Sequence, residues 1–160
     1  MNSLIDLVNK CYDLNRMFDR MSTVARVQFS MDNLAKFLHE NVAHKYPKVA
    51  DEIVENTLER YNQAMEYSET VSFGLNNYTD YVSMLQKATE ECSNILILAN
   101  DVSTELPFNI KVDLFDSIKE LNKLYDTVNE LYNRAIEYGI EKSMSFDKGM
   151  VSYYDFEFKR

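Results

Sequence analysis

An all-α fold, a four-helix bundle with a short extended C-terminal arm, is the architecture this sequence predicts. Leu14, Met17, Met21, Val24, Gln28, Met31, Ala35, Leu38 and Val42 recur at alternating steps of three and four, and only Gln28 is polar. Such spacing draws one stripe along a helix face, a stripe that must be buried against other helices. Two later stretches keep the same time. Three glycines and two prolines in 160 residues leave few breakers, as long helices with short connections require.

The first helix begins near Ser3, and Leu4, Leu7 and Cys11 extend its stripe backwards. The spacing slips between Leu14 and Met17, and Ser22-Thr23 is a weak point. The segment is therefore either one very long helix or a short helix leading into a longer one. It stops before Pro47, which disfavours helical geometry at Tyr46 and suits the first turn of a new helix. A second helix runs from about Lys48 to about Thr70, with a narrower apolar face of Ala50, Val54, Leu58, Tyr61 and Met65. Asp51, Glu52, Glu55, Glu59, Glu66 and Glu69 flank that face. Gly74 and Asn76-Asn77 mark a loop from Val71 to Asn77. Asn77 or Thr79 caps a third helix with the seam Tyr81, Leu85, Ala88, Cys92, Ile95, Ala99, Val102 and Leu106, ended by Pro107. The fourth carries Leu114, Ile118, Leu121, Tyr125, Val128, Tyr132 and Ala135, and Gly139 stops it as a left-handed cap. Residues 1–139 thus form the bundle and 140–160 the arm. In the arm Tyr154, Phe156 and Phe158 alternate with Asp155, Glu157 and Lys159, a period of two.

Charge narrows the function classes. Seventeen basic and 26 acidic residues give a net charge of −9. Such a body repels phosphate backbones, and the densest basic spot is Lys159-Arg160, so nucleic acid is not an expected partner. Two cysteines, Cys11 and Cys92, make no disulfide framework and point to a reducing compartment. No apolar run approaches the 18 or so residues of a membrane span. The expectation is a soluble cytoplasmic protein. Cys92, set in an apolar seam, reads as a buried inert thiol.

A four-helix bundle invites a search for a di-iron carboxylate core, which needs inward Glu on two helices and Glu-x-x-His on the others. The third and fourth seams hold neither carboxylate nor histidine, which removes that reading. A second candidate is Leu38-His39-Glu40-Asn41-Val42-Ala43-His44, followed by Asp51, Glu52 and Glu55. From Val24 to Glu69 the chain resembles the Dps branch of the ferritin-like superfamily. That branch carries His-Trp-Asn-Val late in its first long helix, and His39-Glu40-Asn41-Val42 matches three of the four. Asp51 stands where the branch has its second histidine, Glu55 follows one turn later, and Glu66 falls on the first carboxylate of a later acidic pair. The resemblance implies binding and oxidation of ferrous iron at a site shared between subunits. His39 would supply nitrogen, and Asp51, Glu55 and Glu66 oxygen. It also implies a homo-oligomer; we expect a dimer first and a dodecamer second.

A ferritin-like topology also needs a crossover along the whole bundle, about 30 Å for a 20-residue helix. Val71–Tyr78 reaches only about 26 Å at ~3.3 Å per residue. A simple up-down bundle is the alternative topology, and a non-catalytic interaction or structural protein without a metal site the alternative function. In either case three aromatic rings on one edge of the arm are expected to dock on the bundle, a second subunit or a protein partner.

Overall fold

The computed structural model describes residues 2–59 and 80–149. Among them every regular element is helical: α1 (Asn2–Val27), α2 (Asp32–Phe37), a π-helical turn at Leu38–Ala43, α3 (Lys45–Ile53), a second π-helical turn at Val54–Glu59, α4 (Tyr81–Thr104), α5 (Phe108–Asp113) and α6 (Phe115–Gly149). The all-α expectation stands. No helix among the described residues is long and apolar enough to cross a membrane.

The opening seam is buried, but two helices share it. Leu14, Met17, Met21 and Val24 lie inward on α1, and Met31, Ala35, Leu38 and Val42 lie inward after a bend. Gln28, the polar interruption of the stripe, is exposed at that bend. There Phe29 tucks under the chain, Ser30 takes a left-handed φ of 53°, and the Met31 amide donates to the Ala25 carbonyl at 2.9 Å. Ser22 does not break α1. Its hydroxyl is buried and donates to the Ala35 carbonyl at 2.7 Å, which ties α1 to α2. The segment from α2 to α3 therefore folds back onto α1.

The second helix starts at Lys45, three residues earlier than the proline rule suggests, so Tyr46 is helical. Burial explains the exception. Tyr46 is fully buried, its ring stacks on Phe18 with centroids 5.7 Å apart and planes within 5°, and its hydroxyl lies 3.1 Å from the Cys92 sulfur. Packing of one large aromatic outweighs the local preference against helix before proline.

The cap of α4 falls one residue after Thr79 and three after Asn77, the two expected positions. Asp80 is the N-cap, accepting from the Val82 amide at 3.1 Å and the Ser83 hydroxyl at 2.7 Å. Its seam from Tyr81 to Val102 is buried throughout, and it packs along α6 in the most extensive helix pairing among the described residues. α5 is a short extra helix after Pro107. In α6, Leu121, Val128 and Ala135 are buried as expected, as is Leu114 just before it. Gly139 does take a positive φ, 68°, but its ψ of −177° only kinks the chain. Helix resumes beyond it and runs to Gly149. The extended arm therefore cannot begin at residue 140. Ser143 and Asp147 face inward at a helical step of four, and the period-two pattern of Tyr154–Phe158 does not reach back to them. Tyr154, Phe156, Phe158 and the Val71–Asn77 connection lie outside the described residues.

Asp147 explains why this last stretch stays docked. Met31, the N-cap residue of α2, offers no side-chain hydrogen bond. The Asp147 carboxylate takes that place across the fold, accepting from the Leu34 amide at 2.8 Å and the Asn33 amide at 3.2 Å. The Asn33 side chain returns a bond to the Asp147 carbonyl at 3.0 Å. The apolar core is one contiguous cluster fed by α1 through α6, and both cysteines lie inside it, unpaired. Burial pushes the Cys92 thiol up to about 12 and raises Cys11 further, which makes both poor nucleophiles.

Candidate metal centre

Five residues of α-helix turn the chain through about 500°, which leaves positions i and i+5 about 140° apart. His39 and His44 would then face different ways. The π-helical turn changes this. Pro47 has no amide to give the Ala43 carbonyl, so the α-helical ladder is already interrupted here. Val42, Ala43 and Tyr46 stay buried where the turn widens. The His44 amide reaches back to the His39 carbonyl at 3.2 Å, an i to i+5 bond. The two imidazoles consequently meet edge to face, with centroids 4.1 Å apart and planes at 60°.

α1 supplies the third group. Asp19 sits off the buried seam, and its Oδ1 lies 2.8 Å from His39 Nδ1. One ligand atom from each of Asp19, His39 and His44 lies within 4.8 Å of the other two. Both histidines are exposed and Asp19 is half-buried, so an ion could enter from solvent without opening the core. A tetrahedral zinc site holds carboxylate oxygen and imidazole nitrogen at about 2.0–2.2 Å, which separates its ligands by about 3.4 Å. The Asp19–His39 pair is already closer than that. No pair is more than 4.8 Å apart, so closing to the zinc-site separation takes at most about 1.4 Å, within reach of side-chain rotation. Two histidines and a carboxylate leave further coordination positions open, and the set suits zinc or ferrous iron.

Asp19 and His39 also form part of the wall of an open cleft of about 490 Å³ between α1 and α2. Ser22, Thr23, Arg26, Asp32, Ala35, Lys36 and Glu40 complete it. The hydroxyls are engaged: Ser22 with Ala35, and Thr23 with the Asp19 carbonyl at 3.3 Å.

Of the four residues proposed from sequence, His39 is in this group. Asp51 is on the exposed face of α3 and accepts a hydrogen bond from the Tyr12 hydroxyl at 2.7 Å. Glu55 is exposed in the second π-helical turn. Within one chain neither joins His39, whose neighbours are Asp19 and His44. Glu66 lies outside the described residues. Sequence reasoning does not reach Asp19 or His44 as ligands. His44 is hidden by the α-helical period. Asp19 lies twenty residues away on another helix with no motif to mark it.

No family model matches the chain, and no curated protein matches it either.

Proposed function

We propose that this is a helical metal-binding protein that takes a divalent transition-metal ion, zinc or ferrous iron, through Asp19, His39 and His44. The carrying observation is the convergence of the only two histidines in the chain with a carboxylate, all within 4.8 Å. Imidazole and carboxylate are the donors such ions prefer, and the net charge of −9 favours cation approach. Imidazole binds a metal only in its neutral form, so affinity falls as pH is lowered.

The ferritin-like form of this proposal adds a bundle that pairs with a second copy, with ferrous iron as the ion and Asp51 and Glu55 as oxygen donors across the interface. It is separable by mutation. In zinc titration calorimetry of protein without an affinity tag, His39→Ala and His44→Ala should each weaken binding by more than about 100-fold, beyond the usual cost of a supporting residue. Asp51→Asn and Glu55→Gln should leave it unchanged if the three-residue group acts alone, and should weaken it if the shared site forms. Equal, millimolar binding by wild type and both histidine variants would refute the metal function.

A further inference from the structure

The cleft beside the candidate metal centre is much larger than a bare ion needs. At about 490 Å³ it is on the scale of small-molecule pockets. Two of its wall residues, Asp19 and His39, are also candidate ligands, so an ion held there borders the cleft. The other charged residues of the wall are Asp32, Glu40, Arg26 and Lys36. Arg26 closes the last turn of α1 and Lys36 the last turn of α2. Neither forms an ion pair among the described residues, where the pairs are Arg16–Asp13, His39–Asp19, Lys87–Glu91 and Lys123–Glu120.

Even with Glu40 left out, Asp19 and Asp32 balance these two cations, so the ion-free wall has no excess positive charge. A divalent ion supplies one. It also brings coordination positions that two histidines and a carboxylate leave open, and a bound cation is the largest local charge at such a site. We propose that the metal-loaded cleft binds a small dianionic oxyanion, a phosphate or dicarboxylate, between the ion and the side chains of Arg26 and Lys36. This rests on the metal reading above and adds its ligand class. Guanidinium and ammonium groups are suited to such oxyanions. Binding is ordered: the ion enters first, because the zinc-free cleft has no excess positive charge to hold the anion.

The test uses the full chain with inorganic phosphate and succinate as probes, titrated calorimetrically at constant ionic strength with and without one equivalent of Zn²⁺. The expected result is that at least one probe binds the zinc-loaded protein about tenfold or more tighter than the zinc-free protein. Arg26→Gln/Lys36→Gln should retain wild-type zinc affinity and lose that gain. If zinc binds but neither probe does, the anion proposal is overturned and the metal reading stands. Probe affinity that ignores both zinc and the double substitution overturns it equally. If zinc itself does not bind, the metal reading fails and the anion proposal fails with it.

Discussion

Replacing Asp147 by alanine should unlatch the end of α6 from the start of α2. The Asp147 carboxylate is the acceptor for the Asn33 and Leu34 amides, at 3.2 and 2.8 Å, and the local N-cap Met31 cannot substitute. Loss of an N-cap costs about 0.5–2 kcal/mol, and a hydrogen bond to a charged group contributes about 1.5–3 kcal/mol. One bond is short and one long, and desolvation of the buried carboxylate offsets part of the gain. The expected loss is about 2 kcal/mol at neutral pH, with Asp147→Asn near half of that because an amide oxygen still accepts. Urea unfolding with an unchanged slope measures the loss, and hydrogen exchange at Asn33 and Leu34 localises it. The pH dependence carries a definite sign. Burial raises the Asp147 pKa above its ordinary value, more than the Leu34 and Asn33 amides lower it, and Asp32 adds to the rise. Tyr81 also faces the group electrostatically. The folded protein therefore holds this proton more tightly than the unfolded chain. The stabilisation linked to the proton is complete below the ordinary aspartate pKa and is lost as pH rises through the raised one. The stability difference between wild type and Asp147→Asn should accordingly shrink as pH rises across that window. A loss under about 0.5 kcal/mol for Asp147→Ala, or unaltered exchange at both amides, would refute the latch.

Three further outcomes follow from the core and the bend. Cys11 and Cys92 are fully buried, so an aromatic disulfide reagent should label neither in the native protein and both after urea unfolding; rapid native labelling would contradict the packing. Tyr46→Phe keeps the ring stacked on Phe18 and removes only the hydroxyl contact to Cys92, for an expected loss of about 1 kcal/mol in urea unfolding. Ser30 holds φ at 53°, so Ser30→Val should destabilise by about 1–2 kcal/mol while Ser30→Gly does not; equal behaviour would count against the left-handed bend.

The contrast between seam and site shows what a sequence can carry. Every apolar member of the Leu14–Val42 stripe is buried, because burial depends on helical phase and both α1 and α2 keep that phase. The position of the bend is written only as one exposed polar residue, Gln28, and as a serine with no glycine to advertise a left-handed φ. His39 is legible as a candidate ligand, but its partners are not. The pairing with His44 depends on a π-helical turn that the spacing rule for α-helix does not contain, and Asp19 arrives from a separate helix through tertiary packing. Asp51, attractive by its one-turn step to Glu55, accepts a hydrogen bond from Tyr12 on α1. Similarly, Gly139 is legible as a positive φ, yet the helix after it is held by Asp147, whose role depends on contacts more than a hundred residues away.

Because the chain has only two histidines and both belong to the candidate centre, their imidazole nitrogens alone make up its histidine ring spectrum. Long-range proton–nitrogen NMR of uniformly labelled, tag-free protein, with Zn²⁺ added to one equivalent, observes the proposed ligands directly. Resonances of both rings should move together and saturate at one equivalent, and Asp19→Asn should weaken the response of both. Rings that do not respond, or a His39 response with His44 unmoved, would contradict a metal centre built from Asp19, His39 and His44.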